Sequence, residues 1–381
     1  GMGLALLIVL NGFITGLLES ALENSIRLET GHLQLRAASY RAEKASLQWQ
    51  DLLENPEELA EQARALGEVQ AAAPVLWSSA ILNTWEESVG SRLFGIDVTS
   101  PLYDPIREAM VAGEFLAPDD RRGILIGERL ADDLGLGVGD RVNLAVVNSD
   151  GDGDESTFTI RGVFSTGVYG YDNGAIFMPL SKAQAFTNTG GRASAIVVLL
   201  HEQSDTDAVA TSLASTGLEI LTWRNLNALV LEAVQAGMSF YYILDAIVML
   251  IVAVIIANTL LMAVFERIRE VGILAALGMK KRQIRLMFLL EATLLGLAGI
   301  ALGIVIGSAG VAYLGTAGIE IGGEIASAAG GIAMGTTMRA RFVPVTFASL
   351  SVWTLVLILV ASLYPAWFAS RLEPVEALHT L

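Results

Sequence analysis

Three stretches of the chain are apolar over a length that matters: Tyr242–Phe265, Leu286–Leu314 and Val345–Phe368. A hydrocarbon core about 30 Å thick takes roughly 20 residues of helix, and each stretch meets that. A fourth run, Gly3–Leu18, is shorter and contains Asn11. It has no basic flank ahead of it and no clear A-x-A site before Glu19. It therefore predicts a membrane helix whose N-terminal part precedes this chain, rather than a signal peptide.

Residues 24–237 follow another pattern. Short runs rich in Val, Ile, Thr and aromatics predict strands at Gly123–Gly127, Arg141–Val147, Thr157–Phe164, Ala175–Met178, Ala195–Leu200 and Leu218–Trp223. Helical spacing predicts Pro56–Leu66, with Asn55 as N-cap and Pro56 at the first helical position, Glu128–Leu134 ended by Gly135, and Asp205–Ala214. Two amphipathic stretches, Glu19–Gln50 and Asn225–Met238, are expected to join the first two membrane helices to this domain. The expected fold is an α+β membrane protein with four transmembrane helices. A large mixed α/β extracytoplasmic domain stands between the first and second of them. The expected division is 1–23, 24–237 and 238–381.

Charge sharpens this picture. Of the net −16, nearly all lies in residues 24–237, where 15 Lys/Arg face 30 Asp/Glu. That balance argues against nucleic acid as partner. The absence of cysteine excludes disulfides, thiolate nucleophiles and cysteine metal sites. Short-loop Lys/Arg bias sets orientation. The loop 266–285 carries Arg267, Arg269, Lys280, Lys281, Arg282 and Arg285 against Glu266 and Glu270, whereas 315–344 carries Arg339 and Arg341 against Glu320 and Glu324. The first is expected in the cytoplasm together with the tail from Ala369, and the second outside together with residues 24–237.

Polar groups in the membrane stretches are few. Asn258, in the middle of one, is expected to face another helix, because an unpaired amide in lipid is costly. Glu291 is placed to be hydrated or to pair with Arg285 or Lys281. Gly299, Gly303 and Gly307 recur every four residues and predict a ridge where another helix approaches closely.

Motifs that suggest catalysis fail on inspection. Asp150, Asp152 and Asp154 imitate a calcium loop, but Glu155 stands where glycine is needed and Arg161 where the bidentate glutamate is needed, so a charged hairpin turn is expected. His201-Glu202 starts like a zinc protease helix, yet Asp205 occupies the second histidine's place. His32, His201 and His379 form no cluster, and there is no G-x-S-x-G. No G-x-x-x-x-G-K-[ST] occurs either, so the chain does not cradle ATP phosphates by that route.

The richest stretch runs from Phe265 to Ile284 and reads F-E-R-I-R-E-V-G-I-L-A-A-L-G-M-K-K-R-Q-I. It predicts a membrane-helix end, a short amphipathic helix from about Arg269 to Leu277, a Gly278 C-cap and a basic restart. Val271, Ile273, Leu274 and Leu277 are expected to lie against membrane or a partner protein. The order E-R-x-R-E-x-G-x-L-x-A-x-G resembles the signature of the FtsX-like ABC permease family. The closing run Tyr364-P-A-W-F-A-S-R-L-E-P-V-E-A-Leu378 is similar to that family's C-terminal motif. Gly31-H-L-Gln34 resembles the start of the external domain in lipoprotein-releasing permeases of the LolC/LolE type. Gly127-E-R-L-A, Gly139-Asp140 and Gly162-V-F-S-T-Gly167 followed by Asp172 resemble the MacB-type periplasmic domain.

The resemblance implies a bacterial inner-membrane permease without catalytic, cofactor or metal residues of its own. ATP and Mg would be bound by a separate ATPase subunit, present in two copies. A second permease copy or a homologue would complete the complex, in contact with membrane lipid. Glu266, Arg267, Arg269, Glu270, Gly272, Leu274, Gly278, Lys280, Lys281 and Arg282 would form the coupling loop. The task implied first is lipoprotein release, with lipoprotein and a periplasmic carrier as partners. MacB-like efflux of a peptide or small molecule, and FtsX-like control of a wall hydrolase, are the alternatives. A membrane-tethered hydrolase is disfavoured by the lack of a catalytic cluster. No sequence feature marks a hook or pad for lipoprotein or carrier.

Overall fold

The computed structural model describes residues 1–41, 44–321 and 333–371. Glu324, His379 and the part of the closing motif from 372 onward lie outside them. The chain forms two compact units. One comprises Gly1–Leu18, Ala233–Ile319 and Met338–Leu381, and the other Glu19–Glu232 and Glu320–Thr337.

The membrane unit is helical. Its helices are α1 (Met2–Ser25), α2 (Ala228–Glu266), the short α3 (Ile268–Ala276), α4 (Lys281–Ala317) and α5 (Pro344–Ala369). All but α3 are long and apolar enough to cross a membrane. At 1.5 Å per residue the 39 residues of α2 reach about 58 Å, roughly twice the hydrocarbon thickness. Leu4, Leu7 and Ile8 of α1 pack with Ile300 and Val311 of α4 and with Phe347, Leu350 and Ile358 of α5.

The second unit is built on ten strands: β1 (Leu33–Arg36), β2 (Val69–Asn83), β3 (Ser88–Ile96), β4 (Met110–Gly113), β5 (Gly123–Gly127), β6 (Arg141–Val147), β7 (Gly153–Phe164), β8 (Ala175–Pro179), β9 (Ala195–Leu200) and β10 (Glu219–Thr222). They form one mixed sheet in the order β10-β1-β9-β2-β3-β8-β5-β7-β4, with β6 paired to β2 and β7. The β3–β8 and β5–β7 pairs are parallel. In β5, Ile124 and Ile126 enter one core cluster while Leu125 enters another, and in β8 Ile176 and Met178 separate from Phe177 in the same way. These strands are buried on both faces, so they read as unbroken apolar runs. A third cluster joins β1 and β9 to the helices Pro56–Arg64 and Thr206–Leu213.

Several expectations need correction. The stretch Glu19–Gln50 is not one stalk: α1 ends at Ser25, a π-helical turn follows at Ile26–Thr30, and β1 then enters the sheet. Gly31 makes that entry with φ of +62°, and a Cβ there would sit 2.8 Å from the Val198 carbonyl oxygen. Asn55 does not cap its helix through its side chain; it is left-handed, with φ of 47°. The Asp150–Asp154 segment, by contrast, is the expected β6–β7 hairpin turn. Asn148 Oδ1 accepts there from the Asp150 and Asp152 amides, and Gly151 has φ of +89°.

Buried polar contacts fasten the ends of the α/β unit. Ser25 Oγ donates to Asn227 Oδ1 at 2.5 Å, both residues being buried, which links the end of α1 to the residue preceding α2. Residues from the α4–α5 connection join the same unit: the Thr336 amide donates to the Gly167 carbonyl, and Asn24 Nδ2 donates to the Ala333 carbonyl. The Asp172 carboxylate accepts from the amides of Thr166 and Gly167 and from the Thr166 hydroxyl. Burial raises that carboxyl above its ordinary value, against the pull of these hydrogen bonds. Gly127 lies against the same knot, for a Cβ on it would fall 1.9 Å from the Asp172 carbonyl oxygen.

Candidate coupling site

The short helix α3 has two unlike sides. Val271 is buried, together with Val264 of α2, Ile284 and Phe288 of α4, and Ala366 and Ala369 of α5. Removing one such side chain from water is worth about 1.5–3 kcal/mol, enough to fix so short a helix on the helix ends around it. Glu270, Ile273 and Leu277 follow at helical spacing on the other side and are exposed, Leu277 at 81%. Gly272 is buried and Leu274 half-buried. Val271, Ile273, Leu274 and Leu277 therefore do not act together: Val271 packs within the chain, whereas Ile273 is 46% and Leu277 81% exposed.

Both ends of α3 are fixed by local chemistry. At its C-terminus the Met279 amide donates to the Leu274 carbonyl and the Gly278 amide to the Ala275 carbonyl. This is the Schellman pattern, and Gly278 supplies the left-handed residue it needs, with φ of +95°. The chain restarts at once: the Lys280 amide donates to Gln283 Oε1 at 2.9 Å, and the Gln283 amide returns a bond to the Lys280 carbonyl. At the other end, Phe265 of α2 meets Phe368 of α5 edge-on, with ring centroids 5.6 Å apart.

Charged residues surround this frame. Glu266, Arg267, Arg269, Glu270, Lys280, Lys281 and Arg282 are all exposed. Arg267 Nη1 pairs with Glu291 Oε1 at 3.0 Å. Glu291 thus takes neither Arg285 nor Lys281 as partner, because α2 delivers Arg267 beside it. Such a half-exposed pair contributes at most about 1 kcal/mol, so it orients more than it stabilises. Among the described residues no group of three or more His, Asp or Glu side chains is placed to hold a metal ion.

The packing residues separate. A Cβ at Gly303 would fall 2.7 Å from the Gly1 carbonyl oxygen and 3.1 Å from Leu4 Cβ, and one at Gly307 would fall 2.8 Å from Ile8 Cγ2. Both glycines are buried under α1. Gly299 lies 3.4 Å from the first backbone nitrogen by the same measure. Gly296, outside the four-residue repeat, serves α5, with Ile358 Cδ1 at 2.9 Å. Asn258 is exposed on α2, and no described residue bonds to its side chain.

One further polar residue of the membrane unit, Asp245, is not among the expected site residues. Asp245, inside the apolar stretch Tyr242–Phe265, meets Asn11 of α1. A carboxylate within an apolar run was itself the signal.

Known proteins carry both halves of this architecture. A family model for the MacB-like periplasmic core domain matches residues 1–216, and one for the FtsX-like permease C-terminal region matches 242–374. The lipoprotein-releasing system transmembrane protein LolC of Haemophilus influenzae is 24% identical over 81% of this chain and 77% of its own length. LolE of the same organism is 24% identical over 99% of this chain and 91% of its own. The macrolide export ATP-binding/permease protein MacB of Hyphomonas neptunium is 28% identical over 84% of this chain, which spans about half of that relative at 48%. Among solved structures, the periplasmic region of MacB from Actinobacillus actinomycetemcomitans aligns with a TM-score of 0.39 and 16% identity, covering 55% of this chain and 97% of that one. With the two family models covering residues 1–216 and 242–374, the chain belongs to the FtsX-like ABC transporter permeases that carry a MacB-like periplasmic core domain.

Proposed function

We propose that this permease couples ATP hydrolysis on a separate ATPase subunit to movement of its α/β unit outside the membrane, with release of lipoproteins from the inner membrane as its task. The observation that carries the coupling role is the exposed side of α3. Glu270, Ile273 and Leu277 form an acidic and apolar face on a helix held rigid beneath by Val271 and at its end by Gly278. A face of that kind, next to the basic run Lys280–Arg282, suits docking of a soluble subunit. In this reading α3 and the C-terminal tail are cytoplasmic, residues 24–237 stand between the first and second transmembrane helices on the outer side, and 238–381 form the other three helices. Two ATPase copies holding ATP and Mg would serve two permeases. Exposed Asn258 supports a second permease copy or homologue against α2, since an amide in lipid gains from a neighbouring helix.

Lipoprotein as cargo is supported by the LolC and LolE relatives, which match over most of the chain. The MacB relative favours export of a peptide or small molecule as second reading. The test begins with purification from native membranes and mass spectrometry of what accompanies the chain. A stoichiometric ATPase is expected, with lipoprotein favouring release and an outer-membrane channel favouring export. Glu266→Lys with Glu270→Lys should then leave ATP hydrolysis and folding intact while transport is lost. Normal transport by that double variant would refute the assignment.

A further inference from the structure

Between α1, α2 and α5 the membrane unit forms an open cavity of about 660 Å3, whose wall residues Leu250 and Trp353 are more than 60% exposed. That size suits a drug-sized molecule. Its wall is mostly apolar, with Leu250, Leu350 and Trp353 among its residues, and among the described residues Asp245 is its single carboxylate. Among the described residues no Lys, Arg or His lines it. The side chain that meets Asp245 is Asn11, whose Nδ2 donates to both carboxylate oxygens at 3.3 Å. The same nitrogen donates to the Leu7 carbonyl at 3.0 Å, so the amide is held in place by its own helix. Tyr241, Thr346 and Ser349 add hydroxyl groups to the wall.

An amide donor supplies part of what a carboxylate loses on leaving water, but no counter-charge. Ionisable groups within membrane helices are costly and mark binding or conduction sites. An anion would be repelled here, and a wholly apolar occupant would leave Asp245 without purpose. We propose that this cavity binds a lipophilic cation: one protonated amine on an apolar body, with the ammonium seated on Asp245 and the body along Trp353, Leu250 and Leu350. An amine-bearing lipid headgroup and a free amphipathic amine share this chemistry. The inference concerns the membrane unit alone and does not depend on what docks on α3.

The test uses the purified complex in maltoside micelles, which carry no ammonium. Its probes are a dansyl-tailed alkylamine and the same tail ending in a hydroxyl. The wild type should bind the amine about tenfold tighter or more, the size of one hydrogen bond to a charged group. Asp245→Asn should erase that preference and Asp245→Glu retain it. Ala246→Phe, which narrows the cavity and leaves the carboxylate in place, should weaken binding of both probes. Displacement of the amine by added phosphatidylethanolamine would identify a lipid headgroup as the source, and failure to displace it a free amphipathic amine. Equal affinity of the wild type for amine and alcohol would overturn the proposal. So would an undiminished preference in Asp245→Asn at unchanged thermal stability.

Discussion

In the α/β unit, Phe158, Phe164 and Phe177 are buried and pack against other aromatic rings around the central strands. In the membrane unit, Leu294, Leu302 and Val305 point outward, each more than 60% exposed. The same chain thus hides its apolar side chains in one region and displays them in the other. In water the apolar area removed drives folding. In lipid the surroundings are as apolar as leucine, so helices associate through close contact and polar bonds. That is why the membrane unit places Gly303 and Gly307 where a water-soluble core would place large residues.

The comparison can be broken or sharpened by substitution. The largest effect should come from Phe177→Ala, which empties the most crowded aromatic site of the sheet and should cost about 3–5 kcal/mol; calorimetry or denaturant unfolding reads it. Gly303→Leu should come next, at about 1–3 kcal/mol, because a side chain must enter the contact with α1. Unchanged thermal stability in detergent would contradict that packing. His32 should give a smaller, pH-dependent effect. Its Nδ1 accepts from the Leu200 amide at 2.9 Å, and burial lowers its pKa from the ordinary 6.5. The unfolded ring takes up a proton before the folded one, so its contribution is full above about pH 6.5 and is lost as pH falls through the lowered value. Melting measured at about pH 7.5 and 5.5 should therefore show a steeper loss for the wild type than for His32→Asn, whose amide oxygen accepts the same bond without titrating. The smallest effect belongs to Leu294→Ala, within about 0.5 kcal/mol, since its side chain leaves no packed neighbour behind.

Legibility varied with the kind of signal. β6 and β9 were read to the residue from their own composition, as was the helix Glu128–Leu134 from its terminal glycine. The longest strand, β2, was missed. It holds Ala71, Ala72 and Ala73 followed by Pro74, and further on Ser78 and Ser79, residues with little preference for strands. Its pairing with β3, β6 and β9 holds it extended despite that. In the coupling segment the helix and its Gly278 stop were legible, because capping is local. The separation of Val271 from Ile273 and Leu277 was not, because it depends on which helix ends converge beside α3.

The sequence by itself determined where apolar stretches fall, where local turns stop helices, and which family's motifs recur at Phe265–Ile284 and Gly127–Asp172. Those properties belong to a residue and its near neighbours along the chain. Only the tertiary structure decided partners: Arg267 for Glu291, α1 for Gly303 and Gly307, Asn11 for Asp245, and none within the described chain for Asn258. Partnership depends on residues tens or hundreds of positions apart meeting at a few ångströms, and neither periodicity nor composition encodes that distance.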